Sequence, residues 1–273
     1  MKIAFLNMYN GVVDRGAETF VKEVAGRLAK SNEVCVFQVG EKRSKDEYEV
    51  IRIPVDFNWK KKSGAGTILS RFFIDYWNRL IFIFTLKALP KLWKEKFDIV
   101  VPVNGGWMPA FVRLITWLYG GKMVVSGQAG IGWDEANNLW SLPNAFVALS
   151  KKAEGWMNRV NPFIKTKVIP NGVDLKKFKP EGKVFDTNLK KPRVLCVGAL
   201  TPSKRIELAI RAVSKIENTT LLVVGDGDLR EEIKKIGERL LEDRFQLTKV
   251  SFEDMPKVYR ACDVFTIPSQ SFY

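Results

Sequence analysis

The sequence predicts an α/β protein made of two parallel-sheet domains, the first whole and the second about half present. Three observations carry this. Short apolar runs of strand length alternate with stretches of helical spacing over residues 1–170, and the alternation restarts at residue 193. Between the two, Pro170-Asn171-Gly172-Val173-Asp174 leads into a polar stretch rich in Lys, Pro and Gly, which sets domains at 1–172 and 173–273. The strand runs are rich in Val and Ile throughout rather than alternating apolar with polar, which suits a sheet covered on both faces.

Taken in order, residues 2–7 are a short apolar strand, and residues 10–16 a loop. A helix follows over 17–30, with Phe20, Val21, Val24, Leu28 and Ala29 at helical spacing. Ser31-Asn32 punctuates before a strand over 33–39, and a loop of mixed charge precedes a short strand over 48–53. Residues 64–95 are helix-rich, with a break expected near Pro90. A buried strand over 98–103 ends at Asn104-Gly105-Gly106 and gives way to a helix reaching about residue 118. Strands follow over 122–126 and 144–149, then a helix from about 151. The second domain reads strand, glycine turn, helix, strand, Gly-x-Gly, helix, strand, helix, strand, ending on Pro268-Ser269.

Composition bounds the chemistry. The 273 residues carry a net charge of +14, which favours anionic partners: phospholipid, nucleic acid or phosphorylated substrates. There is no histidine, so Ser-His-Asp and Cys-His catalysis and His-ligated metals are excluded. Cys35, Cys196 and Cys262 lie in apolar runs without metal spacing and read as small hydrophobes in strands of a protein of the reducing cytoplasm. Residues 3–6 are too short for a secretory segment, and the apolar run 80–86 is cut by Lys87, so no span is expected.

Four strings carry chemistry, each beside a plainer structural reading. Arg15-Gly16-Ala17-Glu18 opens a helix whose first N–H groups favour an anion, or is a simple turn. In Val197-Gly198-Ala199-Leu200-Thr201-Pro202-Ser203-Lys204-Arg205, a glycine turn leads to a helix carrying a basic pair near its start. That is a sensible diphosphate site, or a solvated helix end. Gly225-Asp226-Gly227 follows a strand, but Arg230 occupies the third glycine place of a dinucleotide fingerprint, so the NAD reading is weak. The fourth is Ala261-Cys262-Asp263-Val264-Phe265-Thr266-Ile267-Pro268-Ser269.

In this order the strings resemble the retaining glycosyltransferases of family 4, of the two-domain GT-B architecture. The resemblance implies transfer of a sugar from a nucleotide diphosphate-sugar, with no further cofactor and no metal, to a lipid-linked, glycan or small-molecule acceptor. It implies that Gly198, Lys204 and Arg205 hold the donor diphosphate and that Gly225 and Gly227 border the nucleotide. Gly16, Ala17, Gly105 and Gln128 line the acceptor side, and Asn171 and Gly172 shape the interdomain hinge. Departures are plain: Arg15 replaces the first glycine of Gly-Gly-Ala-Glu, Ala199 replaces an Arg, and Arg205 stands where Gly is usual. Gln128 takes the place of a histidine in the loop Ser126-Gly127-Gln128-Ala129-Gly130, and the catalytic residues are otherwise unassigned. The family's Glu-x7-Glu donor motif is expected just past Tyr273.

Residues 59–96 hold nine Lys/Arg against two Asp/Glu, half of the chain's positive excess, interleaved with Trp59, Phe72, Phe73, Tyr76, Trp77, Phe82, Phe84 and Trp93. That mixture suits the cytoplasmic face of an anionic membrane as a peripheral surface, or a helix packed on its own sheet. No nucleic-acid motif accompanies it. The rival to an enzyme is a non-catalytic relative that binds nucleotide or membrane weakly.

Overall fold

The computed structural model describes residues 1–13, 15–43, 47–58 and 68–269, and the chain divides into two compact units, Met1–Asn171 and Gly172–Tyr273. The first carries seven strands: β1 (Lys2–Leu6), β2 (Glu33–Gln38), β3 (Glu49–Arg52), β4 (Ile99–Pro102), β5 (Lys122–Ser126), β6 (Ala145–Ala148) and β7 (Thr166–Val168). All pair in parallel in the order β3-β2-β1-β4-β5-β6-β7, with Ile3 opposite both Val34 and Ile99. Between them run α1 (Gly16–Leu28), α2 (Ile68–Arg71), α3 (Tyr76–Glu95), α4 (Met108–Tyr119), α5 (Trp133–Trp140) and α6 (Lys151–Val160).

The side-chain period of two divides β1 between two cores. Ala4 and Leu6 face one, with Phe84 and Leu92 of α3, Met108 and Val112 of α4, and Met157 of α6. Ile3 and Phe5 face the other, with Val21 and Ala25 of α1. Every strand of β1 and β2 is therefore apolar on both sides, as a doubly covered sheet requires. Fully burying Phe84, Phe97 or Phe146 contributes about 2–3 kcal/mol each relative to exposure.

The helix α3 corrects the expected break at Pro90: it runs unbroken from Tyr76 to Glu95 with Pro90 inside it. Asp75 caps its start by accepting from the Trp77 and Asn78 amides at 3.0 and 3.3 Å. Lys96 ends it in the left-handed region at φ 47°. Pro90 removes one helical hydrogen bond, but it lies with exposed Leu86 and Lys87 on the outer face, where water reaches the helix. Six core residues on the opposite face outweigh that one lost bond. The part of this stretch at 59–67 lies outside the described residues. Strand β7 and helix α5 were not foreseen. Both are short, and α5 is interrupted by polar Asp134, Glu135, Asn137 and Asn138.

The second unit carries β8 (Arg193–Val197), β9 (Thr220–Val224), β10 (Phe245–Thr248) and β11 (Val264–Phe265), parallel in the order β10-β9-β8-β11. Helices α7 (Ile206–Ser214), α8 (Arg230–Leu241) and α9 (Met255–Arg260) cover it. Cys196, Leu221 and Val223 pack against α7 and α8, while Leu195, Leu222 and Val224 pack against Met255 and Val258 of α9. Of the three free cysteines only Cys262 departs from the buried-strand expectation: it is half-buried, ahead of β11.

Two turns of this unit lie backbone against backbone. The Leu200 amide donates to the Asp226 carbonyl at 2.9 Å, and the Leu229 amide to the Leu200 carbonyl at 3.0 Å. A Cβ on Gly225 would stand 1.9 Å from the Gly198 oxygen, and one on Gly227, at φ +155°, 2.6 Å from the Leu200 oxygen. Backbone cannot yield as a side-chain tip does, so the turns would have to separate. We expect Gly225→Ala to cost roughly 2–4 kcal/mol. A thermal or urea midpoint unchanged from that of the parent chain would show that the two turns do not need this contact.

Candidate functional site

In a parallel sheet, loops leaving neighbouring strands part where the winding reverses, and a crevice opens at the strands' carboxyl ends. In the first unit the reversal falls between β1 and β4. Side-chain amides bridge it. The Met8 amide donates to Asn104 Oδ1 at 2.7 Å, Asn104 Nδ2 donates to Asn7 Oδ1 at 3.4 Å, and the Tyr9 amide donates to the same Asn7 oxygen at 3.2 Å. Asn10 donates to Gln38 beside them. Gly16 opens α1 at the end of the first loop that leaves this reversal, and Gly105 lies in the second loop. Nothing stands within 4 Å of a Cβ built on Gly16, so its face is open. Ala17 is half-buried in the first turn of α1.

The start of α1 is partly self-satisfied. Arg15 occupies the N-cap without a side-chain bond. Glu18, three residues on, is buried, and its Oε1 accepts from Asn7 Nδ2 at 3.4 Å. Its Oε2 has no partner. Burial raises the carboxyl above its ordinary value against its hydrogen bonds and nearby Arg15.

Gln128 follows β5 and is half-buried. Its Nε2 donates to Ser126 Oγ at 2.9 Å and to Asn171 Oδ1 at 3.2 Å, while Asn171 Nδ2 donates back to Gln128 Oε1 at 3.0 Å. Two residues singled out separately in the sequence thus form one reciprocal amide pair. The next amide, Ala129, donates to Glu135 Oε1 at 2.9 Å, and Asn138 Nδ2 donates to Glu135 Oε2 at 2.8 Å. Glu135 is buried, and burial pushes its carboxyl from 4.5 up to about 7, against both hydrogen bonds and with Asp134 adding repulsion. Asp134 is itself raised, by burial and then by Asp75, and its Cβ lies 3.9 Å from a Cβ built on Gly105.

In the second unit the reversal falls between β8 and β11. Gly198 leaves β8, and a Cβ there would meet Ile267 at 3.7 Å and the Lys204 stem at 3.9 Å. The basic pair is placed differently from the expected helix start. Pro202–Lys204 form a 3₁₀ turn, Arg205 is left-handed at φ 50°, and α7 begins only at Ile206. The left-handed backbone explains why glycine suits position 205. Lys204 lies over Gly198, and its ammonium has no hydrogen-bond or ion-pair partner among the described residues. Arg205 is exposed. Gly225 and Gly227 sit against Gly198 and Leu200, and Arg230 donates to the Gly225 carbonyl at 2.9 Å, which fixes this turn with a side chain in the third-glycine place. Gly172 is exposed, with open space around it. Among the described residues no three His, Cys, Asp or Glu side chains gather as a metal site.

Sequence reasoning gave no role to Asn7, Glu18, Glu135 or Asn138. The one signal was polar residues directly after a strand or within a short amphipathic helix.

Comparison with known proteins gives the family and the fold. Residues 15–177 match the family model described as Glycosyltransferase Family 4, and residues 191–272 the model described as Glycosyl transferases group 1. Over 120 residues the chain is 32% identical to the UDP-Gal:alpha-D-GlcNAc-diphosphoundecaprenol alpha-1,3-galactosyltransferase of Escherichia coli, covering 39% of this chain and 31% of that enzyme. Over 115 residues it is 24% identical to a GDP-mannose-dependent monoacylated alpha-(1-6)-phosphatidylinositol monomannoside mannosyltransferase of Corynebacterium glutamicum, covering 38% and 30%. The matches thus span about a third of these curated relatives. Among solved structures, Anabaena HepE in complex with UDP and glucose superposes with a TM-score of 0.70 at 17% identity, covering 98% of this chain and 74% of that one. The fold is the expected α/β architecture of GT-B type.

Glu135 generates a prediction. Between about pH 4.5 and 7 the folded chain keeps a proton that the unfolded chain releases, so stability falls as pH rises through that window. The loss is on the order of 3 kcal/mol. Glu135→Gln carries no charge and is expected to flatten this dependence. Urea midpoints across pH 4.5–8 check it, and parallel slopes for the two proteins would refute it.

Proposed function

Starting from the fact that the chain belongs to the glycosyltransferases, in the family whose model is described as Glycosyltransferase Family 4, we propose that it transfers a sugar with retention of anomeric configuration. The donor is a nucleotide diphosphate-sugar, and the acceptor a lipid-linked sugar, another glycan or a small molecule. The observation that carries this is the unpartnered Lys204 ammonium over Gly198, at the winding reversal of the second sheet. A cation unpaired among the described residues, beside a glycine that lets backbone approach, is suited to a diphosphate.

Each unit has its task in this reading. In the second, Lys204, Arg205 and Gly198 hold the diphosphate, and Gly225 and Gly227 border the base and ribose. In the first, Gly16, Ala17, Gly105 and Gln128 receive the acceptor and the transferred sugar, with Asn171 and Gly172 shaping the connection. The bond from the anomeric carbon to the leaving phosphate breaks, the bond to the acceptor oxygen forms on the same face, and the leaving phosphate oxygen takes the acceptor's proton. No imidazole is needed. Gln128 hydrogen-bonds without titrating, and its pairing with Asn171 fixes which way its amide points.

The lipid-linked acceptor is favoured by the relatives, whose names specify a diphosphoundecaprenol and an acylated phosphatidylinositol mannoside. In this reading the enzyme works at the cytoplasmic face of a membrane as a peripheral protein. Among the described residues no helix is long and apolar enough to cross one.

Removing the Lys204 charge tests the donor site. A charge-assisted phosphate contact contributes roughly 1.5–3 kcal/mol, about ten- to a hundredfold in affinity. Titration calorimetry with UDP and with GDP is expected to show that loss for Lys204→Ala against the parent chain. Equal affinities in two well-folded proteins would take Lys204 out of the site.

A further inference from the structure

The outer face of the α3–α4 layer is apolar where a helix facing water is normally polar. Helix α4 has twelve residues, of which Arg113 alone is charged. Its inner stripe, Met108, Val112 and Thr116, is buried against the sheet. Its outer stripe, Ala110, Leu114, Trp117 and Leu118, recurs at helical spacing and is exposed, Trp117 to 67%. On α3 the exposed residues next to this stripe are Leu86 and Trp93. Edge-on ring contacts join the two helices at both ends, Phe82 with Phe111 at 5.5 Å and Trp93 with Tyr119 at 6.5 Å. These contacts set the exposed residues of the two helices side by side on one layer, rather than as singles spread over the unit.

The surroundings of the patch are basic. Residues 76–122 hold seven Lys/Arg against Glu95 and Asp98. Both acids are already engaged: Glu95 bridges Lys2 and Lys91, and Asp98 accepts the Lys2 amide. Lys94, next to Trp93 in the last turn of α3, is exposed and has no partner among the described residues.

From this juxtaposition we propose that the α3–α4 face is the surface by which the protein docks on an anionic lipid bilayer. Trp93, Leu114, Trp117 and Leu118 enter the headgroup region, with Lys94 and Lys96 over the lipid phosphates. The proposal rests on the peripheral reading given above and names its contact. Charge decides the occupant. A second copy seated on this face would bring two sets of lysines together, whereas an anionic bilayer neutralises them. Tryptophan, with an apolar body and one N–H, suits the boundary between acyl chains and water.

The test is co-sedimentation of the whole chain with vesicles of phosphatidylcholine alone and of phosphatidylcholine with phosphatidylglycerol. The parent chain is expected to partition onto the anionic vesicles and to lose binding as salt shortens the screening length from about 10 Å at 0.1 M to about 3 Å at 1 M. Trp117→Glu with Leu118→Glu is expected to lower partitioning at least about tenfold, and Phe163→Glu, at a residue 91% exposed elsewhere on the unit, to leave it unchanged. Both sites are exposed, and matching circular dichroism confirms that the variants fold. Anionic binding that survives the double change, or falls equally with the Phe163 change, overturns this surface while leaving peripheral attachment standing. No binding by the parent chain overturns both, without touching nucleotide binding at Lys204. A double variant that changes only the self-association seen by ultracentrifugation assigns the face to a second copy and overturns the proposal.

Discussion

Where a parallel sheet reverses its winding, two neighbouring strands send their loops in opposite directions, and the backbone groups at that fork lose their ladder partners. Each unit meets this constraint differently. The first uses side-chain amides: Asn7 and Asn104 join the ends of β1 and β4 and hold the Met8 and Tyr9 amides. In the second the fork lies between β8 and β11, and beside it the glycine turns after β8 and β9 rest backbone on backbone at distances no side chain tolerates. Buried polar groups are costly unless paired, so both forks are rigid where they are satisfied. Lys204 Nζ and Glu18 Oε2, close to these forks and without partners among the described residues, stand out against that background.

Much of this architecture was legible because it rests on local rules. The apolar runs predicted β1 to β6 to within a residue or two and the order of strands and helices in the second unit, and the 3.6 period predicted α1. Legibility failed where tertiary context overruled a local rule. Proline disfavours a helix interior, yet α3 keeps Pro90 because its inner face is anchored by six core residues and the proline faces water. Proline at 202 suits a first helical turn, yet it opens a separate 3₁₀ turn and puts Lys204 ahead of the helix. That displacement matters chemically, since it swings the lysine stem over Gly198.

The polar network around Gln128 was legible only in part. A glutamine after a strand is visible in sequence. Its pairing with Asn171, forty-three residues on, needs the fold. Glu135 is less visible still: in a helix reading Trp-Asp-Glu-Ala-Asn-Asn it looks like a solvated face, and only the coordinates put it against the Ala129 amide. The same holds for the α4 patch, where an apolar sequence predicts burial and the outer stripe is nonetheless exposed.

The absence of histidine gives Glu135 a weight beyond its own hydrogen bonds. In most proteins the protons exchanged near neutrality belong to imidazoles. Here a carboxyl buried beside a loop of the first unit supplies that exchange. Its proton is held by the folded chain and surrendered by the unfolded one, so unfolding near pH 6 delivers acid to the medium. The heat of unfolding measured there includes the buffer's own ionisation heat. A value taken in phosphate and a value taken in an amine buffer will differ by the difference between the two buffers' ionisation enthalpies for each proton released.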